Sequence, residues 1–154
     1  MKFNFIIVPL IIMATAVVGS RFTKQGLQGW YQNLKKPSWT PSGKTIGEIW
    51  TFLYVVTGFA ILWFWNVPKF SWWYYVVAGI LDINAFMNAY WNKIFFVDHN
   101  FNKAIKWMTV MNITTVIAAI IIAFASLISA VLFIPYIVWV GIATKLTKEI
   151  KALN

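Results

Sequence analysis

Apolar residues gather into five long runs, at about 3–20, 46–65, 71–90, 104–124 and 128–147. Each is close to the 20 residues that a helix needs to cross a hydrocarbon core. The connectors are short except the first, 21–45. The pattern predicts an all-α membrane protein, a bundle of five transmembrane helices making one domain over 1–154. No tandem repeat is visible, and five spans cannot divide into the equal inverted halves of many transporters.

The third run is the most informative. At 100° per residue, Asn84, Asn88 and Trp91 follow i, i+4, i+7 and share one stripe. A polar side chain in a span needs a partner, so the two asparagines either bond to neighbouring helices or meet a ligand. Asp82 lies about 200° from Asn84, on a face shared with Ala78, Ala85 and Ala89. Small residues at that spacing let helices approach closely, so this face is the candidate dimer contact. Asp82 itself reads as a neutral, hydrogen-bonded structural carboxyl, with proton coupling as the other reading.

Matching stripes run along the second span, at Trp50, Tyr54 and Thr57, and along the fifth, at Tyr136, Trp139, Ala143 and Leu146. Trp63, Trp65, Trp72 and Trp73 fit an interfacial belt. Trp139 lies about eight residues, or ~12 Å, from the end of its span and does not. With Trp50, Trp91 and Trp107 it could surround a pocket; the alternative is belt plus core. Pro9 and Pro135 should kink spans one and five.

Composition agrees with a bilayer environment: 60% of the 154 residues are hydrophobic and the mean hydropathy is +0.70. The formal charge of +9 is mainly a topology signal. Eleven of the thirteen basic residues fall in the first connector, around the third, and at the tail, against Lys2 and Lys69 at the other ends. The positive-inside rule then puts the N-terminus outside and the C-terminus in the cytoplasm. No nucleic-acid partner is implied. The start also imitates a secretory signal through Lys2, an apolar run and Ala14-Thr15-Ala16, but the charge lies downstream of it.

Conventional catalytic chemistry is poorly supplied. There is no cysteine, His99 is the one histidine, and the acids are Glu48, Asp82, Asp98 and Glu149, so no metal site is expected. His99 reads as a solvated loop residue, and the sequon at Asn112 falls inside a span and reads as inert.

The first connector contains "WYQNLKKPSWTP", Trp30 to Pro41. Pro37 and Pro41 stiffen it, Trp30, Tyr31 and Trp39 can insert into the bundle, and Lys35 and Lys36 can stay wet. It reads as a lid over the pocket or as a loop anchored among headgroups. This motif resembles the translocator protein family, also called the tryptophan-rich sensory protein or peripheral-type benzodiazepine receptor family. So do "GSRF" at Gly19, Trp50 with Leu53-Tyr54, "NAYWNKIFF" at Asn88 and "PYIVWVGIA" at Pro135.

The resemblance implies a five-helix protein, often dimeric, with a pocket beneath the first cytoplasmic connector. Porphyrins, sterols and synthetic benzodiazepine-site compounds are the implied ligands. The matching positions are Ser20, Ile46, Gly47, Trp50, Asn88, Trp91, Trp107, Ala143 and Leu146; the stripes and connector add Trp30, Trp39, Tyr54, Asn84 and Trp139. The chain departs from the cholesterol motif of animal members, having Leu146-Thr147-Lys148 where that motif has a tyrosine, and has Pro41-Ser42 for a double proline.

The expected function is a tetrapyrrole-binding receptor or sensor, with no obligatory cofactor and the porphyrin as ligand or substrate. Light-dependent porphyrin degradation would use Trp50 and Trp139 as redox partners. The alternative is a transporter of porphyrin or sterol. Lysine far outnumbers arginine and no organelle-targeting extension is in view, so a bacterial plasma membrane is expected. The charge pattern generates a direct test. A single cysteine replacing Lys36, Asn100 or Asn154 should react with an impermeant thiol reagent from the cytoplasmic side, and Lys69→Cys from outside. Labelling of Lys36→Cys and Lys69→Cys from the same side would refute the predicted topology.

Overall fold

Hydrogen-bonded helices form wherever the apolar runs lie, because a backbone in lipid must satisfy its own polar groups. The computed structural model describes residues 3–67 and 72–154, and no strand occurs among them. Lys2, Lys69 and Ser71, used in the charge and span assignments, lie outside the described residues. The helices are α1 (Asn4–Leu27), α2 (Trp30–Asn33), α3 (Gly43–Asn66), α4 (Trp73–Phe96), α5 (Phe101–Ala123), α6 (Leu127–Leu132) and α7 (Ile134–Leu153). Among the described residues, four stretches are long and apolar enough to cross a membrane: α1, α3, α5 and the α6–α7 pair, Leu127–Leu153. Helix α4 is equally long, 24 residues, but carries Asp82, Asn84, Asn88 and Asn92 and is not among the four.

Several boundaries differ from the apolar runs. Helix α1 continues seven residues past the expected end, taking in Arg21 and Lys24, because nothing breaks it before the turn at Gly29, whose φ is 111°. The connector between α1 and α3 is therefore 28–42, not 21–45, and contains the single turn α2. Ser42 starts α3 by accepting a hydrogen bond from Thr45 N at 3.1 Å, and Asn100 caps α5 in the same way through Lys103 N. The expected fifth span is broken at Phe133. Pro135 sits in the first turn of α7, where its missing N–H costs nothing. Pro9, by contrast, lies inside a continuous α1.

Helix α4 packs most extensively on α1 and α5. It contributes to all three core clusters: Tyr74 and Val77 beside Phe64 and Phe133, Met87 beside Leu53 and Met111, and Ile94 to Phe96 beside Ala104. Trp65 and Trp73 pack on Phe64 and Tyr74 rather than standing in a belt, whereas Trp63 and Trp72 are exposed. The α1–α4 seam is tight. A Cβ on Gly26 would collide with the Phe96 carbonyl, and the Thr23 hydroxyl lies 2.9 Å from Asn92 Oδ1.

The connectors and the C-terminus meet at one end of the bundle. Lys35 N donates to Asn154 Oδ1 at 3.0 Å, and Asn154 Nδ2 donates back to the Lys35 carbonyl at 2.9 Å. Trp39 Nε1 donates to Glu149 Oε2 at 2.7 Å, and Lys151 Nζ to Asn102 Oδ1 at 2.6 Å. His99 is exposed but stacks on Trp30, with centroids 4.1 Å apart. The basic residues of three chain segments are thus gathered together, as their partition along the sequence requires.

The seam predicts a contrast between two glycines. Gly26→Ala should destabilise the protein by about 1–3 kcal/mol, the usual cost of overpacking. Gly79→Ala, which meets open space on α4, should be neutral or stabilise by up to about 1 kcal/mol. Thermal melting in detergent measures both, and equal melting points for the two variants would contradict the seam.

Candidate functional site

The stripe on α4 faces two cavities separated by a hydrogen-bonded layer. Asn88 accepts from Tyr54 OH at 2.7 Å through Oδ1 and donates to Tyr136 OH at 3.0 Å through Nδ2. Its amide therefore ties α4 to α3 and α7. Tyr136 OH in turn lies 3.6 Å from Met111 Sδ on α5. On the connector side of this layer is a cavity of about 450 Å³. On the distal side, between α1, α3 and α4, is one of about 320 Å³. Tyr54 and Asn88 border both.

The connector-side cavity brings together most of the positions that the sequence singles out. Helix α3 contributes Ile46, Gly47, Trp50 and Tyr54; α4 contributes Asn88 and Trp91; α7 contributes Trp139, Ala143 and Leu146; and α1 contributes Ser20. Trp50 is held edge-on to Tyr136 at 6.1 Å and tilted against Tyr54 at 5.8 Å. Trp91 stacks on Phe95 at 5.1 Å. The indole nitrogens of Trp91 and Trp139 are buried and have no acceptor among the described residues. They join the Tyr31 hydroxyl, the Lys24 ammonium and the second amide hydrogen of Asn88 as donors on residues that line the cavity.

Other expected residues lie elsewhere. Trp30 leaves the cavity to pack on Phe95, Phe101 and His99. Trp39 is spent on Glu149, with Lys145 Nζ 5.6 Å above its ring. Trp107 donates to the Met87 carbonyl at 3.0 Å. Asn84 lines the distal cavity and bonds to α5, donating to Thr114 Oγ1 at 2.7 Å and accepting from Thr115 Oγ1 at 2.9 Å. Of the three connector aromatics only Tyr31 reaches the cavity, beneath Lys36 Nζ at 4.5 Å. Burial pushes the Tyr31 hydroxyl up from its ordinary pKa, which keeps it a donor.

Sequence reasoning missed Lys24, Asn92 and Met108 as lining residues. Asn92 carried a usable signal, since 84, 88 and 92 continue one i, i+4 row. Lys24 did not, because the continuation of α1 past its apolar run was unforeseen.

The small-residue face of α4 is turned toward α1 within one chain. Ala78, Asp82 and Ala85 border the distal cavity, and Ala89 is buried where a Cβ on Gly19 would come 3.9 Å from its Cα. Asp82 is exposed and makes no hydrogen bond or ion pair among the described residues, so the hydrogen-bonded carboxyl expected from sequence is not found.

Residues 5–153 match the sequence model of the TspO/MBR family. The tryptophan-rich protein TspO of Archaeoglobus fulgidus is 29% identical over 94% of this chain and 93% of its own. The protein of the same name from Bacillus cereus is 32% identical over 81% and 80%. The translocator protein of Homo sapiens is 31% identical over 84% and 77%.

The layer at Asn88 can be tested by itself. Asn88→Leu leaves the Tyr54 hydroxyl without its acceptor and the Tyr136 hydroxyl with only Met111 Sδ, at about 1–3 kcal/mol for a buried group left unpaired. Its melting temperature should fall clearly below that of Trp63→Ala, whose side chain is 55% exposed. A smaller fall for Asn88→Leu than for Trp63→Ala would remove the layer from the account.

Proposed function

Because the chain belongs to the TspO/MBR family, we propose that it is an integral-membrane receptor binding a planar tetrapyrrole, a porphyrin, in its connector-side cavity. The observation that carries this reading is the wall of Trp50, Trp91 and Trp139 around one space, with two indole N–H donors unclaimed. Indole faces stack on a macrocycle, and the free donors can meet its polar groups. Lys24 at the border supplies a cation for a carboxylate. Synthetic benzodiazepine-site compounds, aromatic and neutral, suit the same walls. Light-dependent oxidative breakdown of the porphyrin extends the reading: dissolved dioxygen, reduced as the excited ligand is oxidised, is the terminal oxidant, and Trp50 and Trp139 stand as redox neighbours of the ligand.

In this reading α4 is a fifth crossing helix, supported by its 24 residues and its place between α1 and α5. The N-terminus is then outside and the basic end of the bundle faces the cytoplasm of a bacterium. Transport of the porphyrin across the membrane is the second reading. The distal cavity favours it, since two cavities sharing Tyr54 and Asn88 would form one passage if that layer opened. Gradient-driven flux into vesicles separates a transporter from a receptor.

An absorbance titration with protoporphyrin, in darkness and then under illumination, tests binding and breakdown in turn. Trp50→Ala or Trp139→Ala should weaken dark binding by about 1–3 kcal/mol, the scale of lost stacking and apolar burial. Trp63→Ala lies away from both cavities and should leave affinity unchanged. Equal losses at Trp63 and Trp50 would mean nonspecific partitioning and end the porphyrin reading.

A further inference from the structure

Asp82 lies about 13 Å along α4 from Trp73, close to half the thickness of a hydrocarbon core. An ionisable side chain at that depth is costly unless something answers it. None of the described residues does: Asp82 has no hydrogen bond or ion pair, and no basic residue is among those lining the cavity it borders.

Several of the other polar groups of the distal cavity are already bonded to protein. The Thr15 hydroxyl donates to the Ile11 carbonyl, Asn84 is bonded to two threonines of α5, and Asn88 to two tyrosines. Thr57 Oγ1 is buried without a partner among the described residues. The remaining wall is apolar, with Ile7, Ile11, Ile61 and Leu81 prominent. Ile7 is 49% and Ile11 36% exposed, so the cavity opens sideways along α1, toward the lipid-facing side of the bundle.

From this arrangement we propose that the distal cavity is a second binding site, separate from the connector-side one, for a lipophilic primary amine. The ammonium pairs with the Asp82 carboxylate at the mouth, and the apolar chain lies along Ile7, Ile11, Ile61 and Leu81. A lone acidic group in a low-dielectric wall favours a monocation over a neutral or anionic lipid of the same length, because only the cation gains the ion pair. A divalent metal is poorly served, since one carboxyl offers too few oxygen ligands and no metal-holding cluster exists among the described residues. The same ammonium chemistry is available from a free alkylamine or from the headgroup of an ethanolamine lipid. The proposal does not depend on porphyrin binding.

The test uses the full chain in phosphatidylcholine nanodiscs and a dodecylamine carrying a mid-chain diazirine. After irradiation, labelled positions are mapped by mass spectrometry. Labelling should be saturable and fall on 7–12 of α1 and 57–61 of α3. Unlabelled dodecylamine should compete at least tenfold better than dodecanol or dodecanoate. Asp82→Asn should weaken labelling at least tenfold, Asp82→Glu should restore it to within about threefold, and Trp63→Ala, which lines neither cavity, should change it less than about twofold. Melting points of all three variants check that the bundle is intact. Competition by phosphatidylethanolamine would support the site and assign the ammonium to a lipid headgroup, whereas resistance to it would assign a free amine. Unsaturable labelling, equal competition by the alcohol and the acid, or undiminished labelling of a well-folded Asp82→Asn would overturn the proposal. So would an Asp82→Asn variant that alters association between copies of the chain and leaves labelling intact.

Discussion

One side-chain amide holds the arrangement together. Asn88 has an acceptor and a donor, and in hydrocarbon neither can be left to water, so each must find protein. Tyr54 from α3 satisfies the oxygen and Tyr136 from α7 takes the nitrogen. Three helices are thereby fixed at one level with a defined rotation, since a turn of α4 by one residue would carry Asn88 through about 100° and away from both partners. The indole of Trp50 is set by the same pair, lying against Tyr54 on one side and Tyr136 on the other. Cavity and core are thus two consequences of one polar requirement.

The same requirement explains why the least apolar long helix is the one most deeply engaged with its neighbours. Asn84, Asn88 and Asn92 could not face lipid, and each is met by another helix: α5 through Thr114 and Thr115, α3 and α7 through the tyrosines, α1 through Thr23. Apolar helices in lipid have little reason to prefer one neighbour over another, and interhelical polar contacts with close small-residue packing supply that preference. Gly26 against Phe96 adds the packing term on the α1 side. Asp82 is the exception on this helix, because it points where α1 leaves a gap.

How far the sequence discloses this depends on the signal each residue carries. The apolar runs and the i, i+4 rows place α1, α3, α5 and α7 and the faces of Trp50, Asn88 and Trp139, because helical period and hydrophobicity are local properties. Termination is less visible: α1 runs on through Arg21 and Lys24 because polar residues outside a bilayer do not unwind a helix. The fate of aromatics in the connector was not legible. Trp30, Tyr31 and Trp39 are equivalent in sequence, yet only Tyr31 reaches the cavity. His99 and Glu149, distant in the chain, claim the other two. Partner choice between distant segments leaves no periodic trace.

The tryptophans make the same point and carry it to the site. An indole N–H is one donor, and burying it without an acceptor costs about 1–3 kcal/mol. Trp107 and Trp39 avoid that cost through the Met87 carbonyl and Glu149, and neither lines the connector-side cavity. Trp91 and Trp139 do not avoid it, and both line that cavity. Abundance of tryptophan therefore does not mark the pocket, since most indoles are packed or belong to other contacts. What distinguishes it is that Trp50, Trp91 and Trp139, from three different helices, share one wall beside the amide of Asn88. The aromatic faces of Trp50, Trp91 and Trp139 along one wall suit a flat occupant better than a wholly aliphatic one.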